Sequence, residues 1–320
     1  MTKVSFKKGD QVATRDAYGK TLAALGDVDN KIVVMDADLS GSTKTGIFAK
    51  AFPERFFNVG VAEQDLMGTA AGLAEAGLTV FTSTFTMFAT GRAWEIVRQS
   101  VAYPQMNVKV CSTHAGITVG EDGASHQAIE DIACMRVIPG MKVAVPADAN
   151  QAASMTEVFA KEKGPAYMRL GRAKVETLFD EDYEFEWGEG HVLKEGSDVC
   201  LFTTGYVTKA TLDAAEILEK EGVSVAVVNL PSIKPMANDL VTEYADKVKH
   251  CFSVEEHSVI GGLGSAVAEV MSERTTATLH RLGMQDEFGQ SGPADELLAH
   301  YRLDAAGIAE SVRMTLSAAA

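Results

Sequence analysis

Lys31-Ile32-Val33-Val34-Met35-Asp36-Ala37-Asp38 is the stretch on which the fold turns. Its apolar run reads as a strand buried on both faces, with Asp36-Ala37-Asp38 at the carboxyl end, as in a parallel sheet covered by helices. The pattern repeats outward. Leu78–Thr82, Val108–Ser112 and Met141–Val145 read as further strands. Residues 87–102 and 148–162 read as helices, and a first helix is predicted from Val12 to about Leu25, with Asp10 as N-cap and Gly26 as the C′ residue. Glu63 opens an Ala/Gly-rich helix that ends near Gly77. Strands alternating with helices predict an α/β fold with a largely parallel sheet.

Residues 173–197 break the rhythm. Asp180-Glu181-Asp182-Tyr183-Glu184-Phe185-Glu186 is acidic and without period, and Gly188, Gly190 and Gly196 are close by, so this stretch reads as an interdomain connection. A second α/β pattern follows, with strands at Val199–Thr203, Val223–Asn229 and His250–Val254 and a helix at Lys209–Lys220. The expected division is a first domain over 1–178, a linker over 179–197 and a second domain over 198–320. A length of 320 residues agrees with two domains, and 46% apolar with 23% charged residues is ordinary for globular chains.

The formal charge of −15 argues against nucleic acid or an anionic membrane as the main partner, while leaving room for a local basic pocket. The first ten residues carry no signal-peptide pattern, and no apolar run reaches the ~18–20 residues of a membrane helix. The cysteines, Cys111, Cys134, Cys200 and Cys251, form no CxxC pair and read as thiols of a reducing compartment. A cytoplasmic protein is expected.

Three clusters carry chemistry. The first is Glu63 in Gly60-Val61-Ala62-Glu63-Gln64-Asp65. A carboxylate at a helix start is explained most simply by the helix dipole. In an apolar pocket it can also share a proton with the ring nitrogen of an aminopyrimidine. The second is Thr82-Ser83-Thr84-Phe85-Thr86-Met87-Phe88. Phe85 and Phe88, three apart, have ordinary core spacing, but two such rings also make a floor for a flat heterocycle. The third is the loop from Thr113 to Gln127, with His114, Glu121, Asp122 and His126. Its spacing, H-x7-D-x3-H, is not a standard metal pattern. Two imidazoles and a carboxylate suit hydroxyl recognition and proton transfer near neutral pH. Arg15, Arg169 and Arg172, with Ser42, are surface residues or a phosphate-binding set. Gly261-Gly262-Leu263-Gly264 lacks the full dinucleotide pattern and reads as a strand-to-helix turn.

Together these segments resemble the C-terminal part of transketolase, a thiamine-diphosphate enzyme, over nearly the whole chain. The matches are Ala13-Thr14-Arg15, Ala37-Asp38-Leu39, Gly60-Val61-Ala62-Glu63, Ser83–Phe88, Thr113-His114 through Gly120-Glu121-Asp122-Gly123 to His126-Gln127, and Leu170-Gly171-Arg172. Each is weak alone; their common order and spacing make the set specific. The resemblance implies a pyrimidine-binding parallel-sheet domain followed by a Rossmann-like C-terminal domain. It implies that Glu63 activates the cofactor through its pyrimidine nitrogen, that Phe85 and Phe88 line the pyrimidine pocket, and that Asp38 belongs to the cofactor site. Asp122 and His126 would contact substrate hydroxyls near the reacting carbons. Arg15, Ser42, His114 and Arg172 would hold the sugar phosphate. The family often has an aromatic residue three positions beyond Phe88, where this chain has Gly91.

The front of the family's pattern is missing. A full-length transketolase begins with a domain whose G-D-G…N motif holds a divalent metal and the cofactor diphosphate. Glu121-Asp122-Gly123 lies instead in the substrate loop, and no metal ligands are assigned to this chain. The resemblance therefore implies a split enzyme. A separate N-terminal subunit would hold the diphosphate with Mg²⁺ or Ca²⁺, and an α2β2 assembly would transfer a two-carbon ketol unit between sugar phosphates. One alternative is the β subunit of a 2-oxo acid dehydrogenase, against which the two-histidine loop argues, because a 2-oxo acid has no row of hydroxyls. The other is a non-catalytic assembly subunit.

Overall fold

The computed structural model describes residues 3–319; Met1, Thr2 and Ala320, at the ends of the expected domain bounds, lie outside the described residues. The chain forms two compact units. One comprises residues up to Ala115 and Cys134–Glu186, and the other Gly116–Ala133 and Trp187 onward.

The first unit contains strands β1 (Gln11–Ala13), β2 (Ile32–Asp36), β3 (Phe56–Asn58), β4 (Thr79–Ser83), β5 (Val108–Ser112), β6 (Lys142–Ala144), β7 (Ala166–Arg169) and β8 (Lys174–Glu176). Six of them form a parallel array in the order β6-β7-β5-β4-β2-β3. The residues of β2, β4, β5 and β7 are all buried, as a sheet covered on both faces requires. The chain steps outward to β3 on one side of β2 and to β4 on the other. In open α/β sheets, the carboxyl ends of the strands at such a reversal are where ligands bind. The helix Glu63–Glu75 packs by Leu66, Met67, Ala70, Ala71 and Ala74, a stripe with helical spacing.

Two expectations about the first helix fail. It spans Thr14–Gly26 and its N-cap is Ala13, not Asp10. Gln11–Ala13 pairs antiparallel with Lys174–Glu176, and this long-range pairing holds the preceding residues extended. Gly26 is the last helical residue rather than a left-handed C′ residue. Glycine is needed there because a Cβ would run into the rings of Phe48 and Phe52.

The second unit contains β9 (His191–Lys194), β10 (Val199–Thr203), β11 (Val225–Asn229), β12 (Ser232–Lys234), β13 (His250–Ser258) and β14 (Thr278–Met284). Its sheet has the order β14-β13-β10-β11-β9, parallel except for β9. Val199, Leu201, Val227, Phe252 and Val254 build its core, and Ile117 and Ile129 of the polar loop join that cluster. The loop is pinned to this unit by polar contacts too. Thr118 N donates to the Glu256 carboxylate, and Gln127 Nε2 donates to the carbonyls of Ile117, Gly120 and Gln290. Gly116–Ala133 thus groups with the second unit, although it follows β5 in the chain. Within 179–197, Phe185 is buried with its N donating to Ser154 Oγ, and His191–Lys194 is the strand β9. Among the described residues, no helix is long and apolar enough to cross a membrane.

Candidate active site

The sequence-predicted site residues of the first unit follow the carboxyl ends of sheet strands, except Arg15 and the buried Arg169, which is the last residue of β7. Asp38 and Ser42 follow β2, Glu63 follows β3, Phe85 and Phe88 follow β4, His114 follows β5 and Arg172 follows β7. Arg15 lies just inside the helix that begins at Thr14.

Asn58, which the sequence reading did not single out, braces this edge. Its Oδ1 accepts from Asp38 N (3.1 Å) and Gly60 N (2.9 Å), and its Nδ2 donates to Asp38 Oδ1 (3.4 Å). Asp38 is exposed and its φ is 63°, a left-handed conformation that Asp tolerates better than most residues. Beneath it the buried Asp36 accepts from Thr43 Oγ1 (2.7 Å) and Thr45 Oγ1 (2.9 Å); burial raises its pKa, and these bonds oppose the rise. The two carboxylates therefore differ in role: Asp36 fixes the turn, and Asp38 faces outward.

Glu63 is the first residue of its helix and is only 2% exposed. Its Oε2 lies 3.0 Å from Arg92 Nη1. Arg92, missed in the sequence, also lies over the Phe88 ring, with Cζ 4.9 Å from the centroid. The segment after β4 is helical as expected, but its turns at Phe88–Arg92 and Val97–Ala102 are π rather than α. Such wider turns are frequent at functional sites. Phe85 precedes the helix, in a bridge to Thr113. Its ring centroid is 6.4 Å from that of Phe88, and the planes differ by 15°. Phe85 also stacks on His114, with ring centroids 3.9 Å apart.

His114 is buried and also left-handed, with φ 60°. Non-glycine residues in that region cost energy and gather at functional sites. Its Nε2 is 3.3 Å from Arg15 Nη1, and its Nδ1 is 2.8 Å from Thr113 Oγ1. Arginine can only donate, so Nε2 accepts and the ring proton sits on Nδ1. Arg15 Nη1 also donates to the Ser42 carbonyl (2.8 Å), while Arg15 Nε is a buried donor with no partner. Burial lowers the Arg15 pKa; Asp16 opposes this, and the nearby charge of Arg172 adds to it. Two guanidinium groups that repel each other, one of them with a buried donor that has no acceptor, suit a phosphate.

Asp122 and His126 belong to the other unit. Asp122 ends the 3-10 segment Ile117–Asp122 and is exposed. His126 Nδ1 is 3.0 Å from Ser125 Oγ, and its backbone N donates to Gly123 O. Asn150 stands at a motif-like distance beyond Glu121-Asp122-Gly123, but its side chain is committed to the fold. Its Oδ1 accepts from Phe6 N, and its Nδ2 donates to the carbonyls of Phe6 and Phe179, each at 2.9 Å. Among the described residues, no group of three or more His, Cys, Asp and Glu could hold a metal ion. The glycine-rich turn contains its own anion. The buried Glu255 accepts from Leu263 N (2.7 Å) and Gly264 N (2.8 Å), so a carboxylate already fills that helix N-terminus.

Comparison with known proteins agrees with this layout. The family model for the transketolase pyrimidine binding domain matches residues 10–177, and that for the transketolase C-terminal domain matches residues 188–308. A "Putative transketolase C-terminal section" of Methanocaldococcus jannaschii is 50% identical over 301 residues, covering 93% of this chain and 94% of that one. Human transketolase is 34% identical over 97% of this chain, but only 50% of that protein is matched. The solved structure of a split gene transketolase, an inactive beta4 tetramer, matches with a TM-score of 0.89 at 52% identity, over 96% of this chain and 99% of that one. This chain belongs to the transketolase family, and within it is similar to the C-terminal half of the full-length enzymes.

Proposed function

We propose that the chain is the C-terminal subunit of a two-chain transketolase, moving a two-carbon ketol unit from a ketose phosphate to an aldose phosphate. The observation that carries this is Glu63, a nearly buried carboxylate at a helix start, whose counter-ion is a half-exposed side chain. A structural carboxylate of that burial is normally locked by fixed donors; this one can exchange its partner.

The residues suit thiamine diphosphate on its pyrimidine side. When bound, the cofactor supplies the nucleophilic carbon that breaks and makes the bond next to the carbonyl. Glu63 would hold the proton at the pyrimidine ring nitrogen, while Phe85 and Phe88 orient the ring. Arg15, Arg172, His114 and Ser42 would hold the sugar phosphate, and Asp122 and His126 the hydroxyls beside the reacting carbons. The diphosphate and its Mg²⁺ would be held by an N-terminal subunit, most simply in an α2β2 assembly. Two findings support a partner: a C-terminal section from Methanocaldococcus jannaschii is matched over 94% of its own length, and the solved split-gene relative, matched over 99% of its chain, is inactive as a β4 tetramer.

The test is ketol transfer from xylulose 5-phosphate to ribose 5-phosphate, assayed for the chain alone and for the chain mixed with its N-terminal partner. Turnover only in the mixture is expected. Turnover of 2-oxo acids with an artificial electron acceptor, without ketol transfer, would replace this reading with the 2-oxo acid dehydrogenase one.

A further inference from the structure

Arg92 presents to its neighbours the same two features as an aminopyrimidine. The guanidinium is flat, and it lies over the Phe88 ring at 4.9 Å. It is also a donor to a carboxylate, with Nη1 3.0 Å from Glu63 Oε2. The two ends of this pair are unequal: the Arg92 side chain is 53% exposed and that of Glu63 2%. The backbone of Arg92 is tethered, since its carbonyl accepts from Gln64 Nε2 at 3.3 Å, but the guanidinium reaches solvent. The π turn Phe88–Arg92 puts the residue on the same side as Phe88. Gly91 beside it has negative φ and space for a side chain, with only Met87 Sδ within 4 Å of a Cβ, so no backbone constraint demands glycine there.

A buried carboxylate without a partner is costly, so Glu63 needs a positive or donating group at all times. We propose that Arg92 is a displaceable counter-ion. It holds the aminopyrimidine position on Glu63 and Phe88, and it swings into solvent when the cofactor enters. This inference rests on the proposed function. It gives the chain a way to keep its buried carboxylate paired before the cofactor arrives, and it makes cofactor affinity the difference between two partners competing for one carboxylate.

Competition and support predict opposite signs. Thiamine diphosphate is titrated with excess Mg²⁺ into the assembled two-chain enzyme, as wild type, Arg92→Ala and Arg92→Lys. If Arg92 is displaced, its removal tightens binding about fivefold, the scale of a half-exposed ion pair, and Lys falls between. The gain shrinks at high salt, which screens the pair in the wild type. In parallel, the melting temperature of this chain alone falls in Arg92→Ala, and adding Glu63→Gln restores most of the loss. Weaker or unchanged cofactor binding by Arg92→Ala, with wild type binding normally, overturns the inference alone, because Arg92 would then stay in place. Additive melting shifts would also overturn it. Failure of the wild-type complex to bind the cofactor would sink the proposed function, and this inference with it.

Discussion

Two buried glutamates meet helix N-termini in this chain, Glu255 from strand β13 and Glu63 as the first residue of its own helix, and they are held in opposite ways. Glu255 accepts from two backbone amides of the helix Leu263–Arg274, with His257 Nδ1 3.6 Å away, and all of these groups are buried. Glu63 is as deeply placed at the start of its own helix, but its partner is the half-exposed Arg92. Backbone amides cannot leave without unwinding the helix, whereas a long side chain can. The first carboxylate is a joint; the second, in the proposed function, is available for chemistry. Burial alone does not mark a site; burial with an exchangeable partner does.

That contrast can be broken by substitution. The largest effect should come from Glu63→Gln, which removes the proton-holding group while keeping shape. Ketol transfer by the assembled enzyme should fall about 10²–10⁴-fold while the melting temperature moves little. Near-normal turnover would favour the non-catalytic assembly reading. Glu255→Ala should do the reverse: leaving two buried amides unsatisfied should lower unfolding stability by about 3–5 kcal/mol in urea titration. A loss of activity without any loss of stability would show that the joint had been misread.

Lys109 offers a third contrast, a buried cation held purely for structure. Its Nζ donates to the carbonyls of Glu162 (2.9 Å) and Gly164 (2.6 Å) just past the helix Ala149–Lys161. Burial lowers its pKa to about 8. Between about pH 8 and its ordinary value near 10.4, the folded chain has released a proton that the unfolded chain still holds. Stability should therefore rise with pH through that window, by about 3 kcal/mol for this group. The difference in melting temperature between wild type and Lys109→Met should show that slope; parallel curves would mean that Lys109 titrates normally. The smallest effect expected is on phosphate recognition. Arg15→Gln should raise KM for ribose 5-phosphate about tenfold, roughly one charge-assisted hydrogen bond, and leave glycolaldehyde, an acceptor without phosphate, unaffected.

What the sequence made legible follows from the range of the interactions. Ile32–Asp36 and the helix from Glu63 were readable because a buried strand and an amphipathic helix write their periods locally. The pairing of Gln11–Ala13 with Lys174–Glu176 was not, since no local pattern records a partner so far along the chain, and the first helix was therefore started too early. The π turns were invisible because their residues fit an α period almost equally well. Glu63, Phe85 and His114 stood out through motifs. Arg92 did not, because an arginine within a helical stretch reads as a surface residue. Asn58 has no signal except its place at a strand end. The burial of Glu255, Glu256 and His257 was not legible, because the strand read from the sequence ended at Val254, whereas it runs on to Ser258.

In the proposed function, this chain supplies only the pyrimidine side of a shared site. Calorimetric titration of thiamine diphosphate with Mg²⁺ into the chain alone, and into the chain co-purified with its N-terminal partner, tests that directly. Saturable binding in the complex and none by the chain alone is the predicted result. Tight binding by the chain alone would mean that a diphosphate site exists within these 320 residues, and the two-chain account would be wrong.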